Sequence, residues 1–141
     1  VAPSPLQALR HLGGRSHPDL LDSPERILPA IDARRMEIFT LDAEGRPTAA
    51  IVDGGFAPEL SEGPALLIGD GAEKCAETLA AHPADWRFQA ACPSAADLLP
   101  EALERLRDGR TEDVADFEPF YLKDFIPGTP KDPLGLRTPS A

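Results

Sequence analysis

Three histidines, two cysteines and a handful of serines are the side chains of this 141-residue sequence best suited to metal or nucleophile chemistry. His11, His17 and His82 show neither the i, i+4 spacing of a helical metal pair nor a glutamate set between histidines. No zincin-type site is legible, and each histidine reads as a surface or capping residue. Cys75 and Cys92 form no Cys-x-x-Cys and lack flanking histidines, so two reduced, mostly buried thiols are the plain reading and a disulfide the alternative. No serine or cysteine sits in a nucleophile elbow, and no Ser-His-Asp order stands out. The sequence therefore offers no catalytic residue and no metal ligand set.

Other stretches suit binding better than bond breaking. "GDG" at 69–71 lies where an apolar run gives way to a helical pattern. The amides of Gly69 and Gly71, with a helix N-terminus behind them, could hold a phosphate or carboxylate. Asp70 would repel such an anion, and the alternative is a tight strand-to-helix turn that needs a positive φ. In "IDARRMEIF", residues 31–39, Arg34 and Arg35 occupy a charged turn between two apolar runs. Their guanidinium forks suit a carboxylate or phosphate on a partner. The structural alternative is an ion pair with Asp32 or Glu37 across a hairpin. Tyr121, within "FEPFYLKDF" at 117–125, is a further candidate for partner contact.

The elements that must position these residues follow from capping and periodicity. Ser4-Pro5 reads as N-cap and first helical position, followed by Leu6, Leu9 and Leu12, with Gly13-Gly14 expected to stop the helix. Residues 13–26 look loop-like. "ILPAIDA" and "MEIFTLD" are β-rich runs separated only by Arg34 and Arg35, and "TAAIVD" follows the Glu44-Gly45-Arg46-Pro47 turn, which predicts an antiparallel meander. "ALLIG" is a short apolar run of the kind buried on both faces. After it come a helix with Ala72, Cys75, Ala76 and Leu79 on one side and the alternating strand "WRFQA". Ser94 and Asp97 form a capping box for a last helix striped by Leu99, Leu103 and Leu106 and stopped by Gly109. Pro100 should kink that helix or mark a late start.

The order predicts one α/β layer with a mixed sheet: a three-stranded antiparallel meander, then strand, helix, strand, helix. "FEPFYLKDF" holds half of the chain's eight aromatic residues. Its apolar positions fall on both parities, and Pro119 suits a strand edge, so it reads as a closing segment that packs Tyr121 and its neighbours against the sheet. A formal net charge of −10 argues against unaided binding to nucleic acid. The Arg105, Arg107 and Arg110 group reads as a solvated face. No apolar run approaches a membrane span.

These residues together carry a resemblance. "AIDARRMEIFTLD" resembles the Asp-Ala-Arg hairpin of the TsaB (YeaZ) family, and "FEPFYLKDF" resembles that family's terminal Pro-x-Tyr-Leu-Arg/Lys signature, in its Bacteroidetes-type form. "SPLQAL", "GDGAEKC" and "SAADL" fall in the expected order, and the likeness runs from about residue 4 to residue 126. It implies a second lobe of a ribonuclease-H-like, actin-type ATPase superfold over residues 1–126, with 127–141 as an irregular tail. It also implies a non-catalytic, cytoplasmic partner of a TsaD-like subunit, with a TsaE-like ATPase as a further partner, in threonylcarbamoyl modification of adenosine in tRNA. ATP or ADP would be involved only in the intact complex, with no cofactor in this part. The family's first lobe, roughly 90 residues, has no counterpart here, so the chain is expected to be a C-terminal fragment that exposes apolar surface and self-associates. Two alternatives stand beside this reading: a glycoprotease-type hydrolase, as an older family label has it, and an independent nucleotide-binding module working through Gly69 and Gly71.

Overall fold

The computed structural model describes residues 3–53, 56 and 58–123. The expected tail at 127–141 lies outside the described residues. Helix α1 spans Pro5–Ser16 and begins as the sequence suggests. The Ser4 hydroxyl accepts from the Gln7 N–H at 3.3 Å, and the Gln7 side chain accepts from the Ser4 N–H at 3.2 Å. This capping box satisfies amides that would otherwise be orphaned at the helix start.

The glycine pair does not stop α1, which runs three residues past Gly13 to Ser16. Gly13 serves packing instead: a Cβ there would stand 2.6 Å from Ile27 Cγ2 and 3.0 Å from Leu66 Cδ2. The missing side chain lets the helix lie close on the sheet. The expected loop at 13–26 is correspondingly shorter, and 3₁₀ turns fill it at Pro18–Leu20 and Pro24–Arg26.

Strands β1 (Ile27–Pro29) and β2 (Ile31–Asp32) are one extended run interrupted at Ala30. The run changes partners there, so the expected single mixed sheet is divided into two three-stranded sheets. β1 pairs in parallel with β5 (Gly63–Ile68), which pairs in parallel with β6 (Ala84–Gln89). β2 pairs antiparallel with β3 (Glu37–Leu41), and β3 with β4 (Pro47–Ile51), which is the meander read from the sequence.

The core divides by strand parity. Leu66 and Ile68 join Leu9, Leu20 and Ile27 on the α1 side. Leu67 joins Leu28, Ile38, Val52, Cys75 and Leu79 on the other. Alternate side chains of a strand point to opposite faces, so β5 is buried on both, as its unbroken apolar run implies. Each such fully buried leucine or isoleucine contributes about 1.5–3 kcal/mol. The helix after β5 is only a 3₁₀ turn, Glu73–Cys75, followed by the one-turn helix α2, Ala76–Leu79. Trp86 of β6 packs on the Leu67 side and meets the His82 ring edge-on at 5.5 Å.

The C-terminal third departs most from expectation. Ser94 and Asp97 form the capping box, now of a 3₁₀ turn, Ala95–Leu98, and α3 follows as Leu99–Arg107 with Pro100 in its first turn. The late start removes the conflict at Pro100, because a first-turn proline breaks no intrahelical bond. Gly109, at φ 66°, ends the helix. Its N–H donates to the Leu106 carbonyl at 3.2 Å, and the Arg110 N–H donates to the Arg105 carbonyl at 2.8 Å. The leucine stripe, however, is not core. Leu99, Leu103 and Leu106 are 54%, 46% and 65% exposed. Nor does 117–123 form a strand: Tyr121 is 79% exposed rather than packed on the sheet.

Candidate functional site

The hairpin between β2 and β3 is built from its own polar groups. Ala33 N–H donates to the Glu37 carbonyl at 3.1 Å, leaving residues 34–36 as the loop, one residue longer than the two arginines alone. Asp32 Oδ1 accepts from the Arg34 N–H at 2.8 Å. Arg34 and Arg35 both take left-handed backbone, at φ 65° and 51°. Left-handed backbone suits glycine and, next, asparagine or aspartate, and costs other residues roughly 1–2 kcal/mol each.

The expected hairpin ion pairs are replaced. Asp32 pairs with Lys74 and Glu37 with Lys123, while neither the Arg34 nor the Arg35 guanidinium has a hydrogen bond or ion pair among the described residues. The ammonium of Lys74 holds the Asp32 carboxyl below its ordinary value, helped by the Arg34 N–H and, more weakly, by the charges of Lys74 and Arg34. Lys74 also donates to the Glu37 carbonyl at 3.1 Å, tying both strands of the hairpin to the turn after β5.

That turn is the GDG stretch, and the fold brings it directly against the hairpin. Gly71 N–H donates to the Ala30 carbonyl at 2.9 Å, and Gly69 N–H to Gln89 at 3.0 Å. Asp70 Oδ1 accepts from the Asp32 N–H at 2.8 Å, extending the parallel ladder by one side-chain rung. A Cβ at Gly69, whose φ is 140°, would fall 2.1 Å from the Ala30 oxygen. Both glycine amides are thus engaged within the fold, and the turn's geometry accounts for both glycines through positive φ and close backbone approach. Asp32, Arg34, Arg35 and the glycines stand out in the sequence, whereas the counterions Lys74 and Lys123 do not, because no local pattern links residues 42 and 86 positions apart.

Beside the hairpin lies a mostly apolar cleft of about 840 Å³ between the start of α1, the Phe39 face of the meander and the segment carrying Tyr121. Lys123 closes one end, bonded to Glu37 and 6.0 Å from the centre of the Phe39 ring. Tyr121 lines this cleft, so the third sequence candidate is brought beside the hairpin without joining its polar network.

The remaining reactive side chains have structural settings. Cys75 is buried, and burial pushes its thiol up to about 11, so it is protonated at neutral pH. Cys92 is exposed, correcting the expectation of two buried thiols; neither is in a disulfide. His82 Nδ1 accepts from the Ala84 N–H at 3.1 Å, which leaves Nε2 to donate to the Pro58 carbonyl at 2.7 Å. Among the described residues, no cluster of three or more His, Cys, Asp or Glu could hold a metal ion. No described helix is long and apolar enough to cross a membrane.

No protein-family model matches the chain, and no curated protein matches it. A solved structure does: the crystal structure of an uncharacterized protein with similarity to peptidase YeaZ from Pseudomonas aeruginosa, at a TM-score of 0.55 and 19% identity. The match covers 85% of this chain and 57% of that one, so the chain spans little more than half the length of the solved protein. At that identity the likeness is one of fold, a mixed α/β fold of YeaZ-like type.

Proposed function

We propose that this chain is the second lobe, residues 1–126, of a TsaB-like scaffold in the ribonuclease-H-like superfold. In this reading it acts as a non-catalytic subunit beside a TsaD-like enzyme in threonylcarbamoyl modification of adenosine in tRNA. The observation that carries the proposal is the union of two sequence signatures in one place. The Asp-Ala-Arg hairpin and the segment of Tyr121, 86 positions apart, meet through Glu37 and Lys123 on a fold of YeaZ-like type. A TsaE-like ATPase, ATP or ADP, and a cytoplasmic location belong to the same proposal and to the intact assembly.

The test is genetic and chemical together. A strain depleted of the full-length protein should lose threonylcarbamoyladenosine from its tRNA by nucleoside mass spectrometry and regain it on complementation. Unchanged modification in the depleted strain would sink the proposal. The description of the solved neighbour as similar to a peptidase favours one rival, a glycoprotease-type hydrolase. Peptide turnover by purified protein, with added divalent metals and sensitive to substitution, would replace the scaffold reading with that one.

A further inference from the structure

Nearly every cation among the described residues has an acceptor within the chain. Arg15 pairs with Asp97, Arg46 with Asp42, Lys74 with Asp32, Arg87 with Asp19 and Lys123 with Glu37. Arg34, Arg35 and Arg107 do not; Arg34 and Arg35 are both exposed and both occupy left-handed backbone that asparagine or glycine would fill with less strain. A strained, solvent-facing turn that carries two unpaired guanidinium groups points to a contact outside the chain. Met36, 52% exposed, adjoins them, and Ile51, 60% exposed, sits across from Glu37 on β4. The hairpin tip is thus two cations beside two aliphatic side chains.

The complementary surface is on the same molecule. Residues 111–121 are exposed throughout, and the carboxylates of Asp116 and Glu118 have no partner among the described residues. They alternate with Phe117, which is 46% exposed, and precede Phe120 and Tyr121 at 70% and 79%. Guanidinium groups pair with carboxylates and also stack on aromatic faces, so an acidic-aromatic strip suits an arginine-aliphatic tip. Within one chain the two surfaces do not bond to each other. The Lys123–Glu37 pair nevertheless holds the end of the strip at the base of the hairpin. Both surfaces are thereby neighbours, as a two-fold contact in which each copy gives and receives requires. Nucleic acid fits less well: it needs a track of free cations, whereas Lys74 and Lys123 are already paired and the chain carries a net charge of −10.

We propose that a second copy of this chain docks here, the Arg34-Arg35 tip of each protomer on the residue 116–121 strip of the other. The experiment is sedimentation velocity over a concentration series with four variants of the chain. Wild type should dimerise, while Arg34→Glu/Arg35→Glu and Asp116→Lys/Glu118→Lys should each weaken dimerisation ~tenfold or more through like-charge contact. Mixed in equal amounts, the two reversed variants should form a heterodimer, because both contacts are then of opposite sign. Arg34→Asn/Arg35→Gly should fold at least as well by circular dichroism, yet dimerise more weakly than wild type, by less than the charge reversals because no like-charge contact is added. A wild type monomeric throughout, reversed variants that dimerise like wild type, or a mixture without rescue would each overturn the proposal. So would a dimer that survives these changes and is lost in Leu103→Gln/Leu106→Gln, which would assign the contact to α3.

Discussion

Helix α1 and helix α3 are introduced by the same local signals. Each follows a serine capping box, each has a proline in its first turn, and each carries leucines at helical spacing. α1 buries Leu6, Ala8 and Leu9, sets Leu9 against Ile27, Leu66 and Ile68 of the parallel sheet, and gives up a side chain at Gly13 to come closer. α3 buries none of its residues and leaves its stripe to solvent. Its preceding turn is fastened by Asp97, which accepts from the Ser94 N–H at 2.8 Å and pairs with Arg15 of α1. Capping and periodicity therefore specify that a helix forms and which face is apolar. Whether that face finds a partner is decided elsewhere in the chain.

The contrast can be broken most sharply at the leucines. Leu9→Ala removes a side chain with no exposure and should cost about 2–5 kcal/mol in urea unfolding, while Leu103→Ala, at 46% exposure, should cost well under half of that. Equal losses would mean that the α3 stripe is covered in solution. The glycines give the next effect. Gly13→Ala should destabilise by about 1–3 kcal/mol despite its better helix propensity, because its Cβ would overlap Ile27. Gly109→Ala, with nothing within 4 Å, meets only the penalty of left-handed backbone, about 1 kcal/mol, in the same measurement.

Asp97→Asn should lower the thermal midpoint by about 5 °C and raise amide exchange in α3 before it does so in α1, since the substitution weakens both the cap and the tie to Arg15. The smallest effect is that of acid. The Ser94 N–H, then Arg15, hold Asp97 below its ordinary value of 3.8. A carboxyl lowered on folding stabilises fully above its unfolded value and ceases to do so as pH falls through the folded one. The α3 amides should thus lose protection below pH 3.8 ahead of those of α1, and simultaneous loss would show that Asp97 is not the fastening.

What was legible in the sequence was local. The caps at Ser4 and Ser94, the meander around the arginine turn and the doubly buried "ALLIG" run each depend on neighbours within a few positions. Misreadings arose where a residue answers to something distant. Gly13 looked like a helix stop because its reason, Ile27 and Leu66, lies on other elements. Asp32 and Glu37 looked like partners for the adjacent arginines, yet lysines at 74 and 123 reach them first. Tyr121 reads as packed against the sheet because it lies in an aromatic closing segment, and the fold leaves it exposed beside a cleft.

The change of partner at Ala30 bears on the order of assembly. Residues 31 and 39 must close only a short loop to begin the meander, whereas residues 27 and 66 must close one several times longer. Loop closure becomes costlier with length, so the hairpin half of this strand can form early and the parallel half must wait. Once the meander exists, it fixes the direction in which residues 27–29 leave it and so offers an already oriented edge to β5. Gly69 and Gly71 then act as the latch of a late docking step, admitting the turn after β5 against the Ala30 carbonyl only when no side chain stands between them.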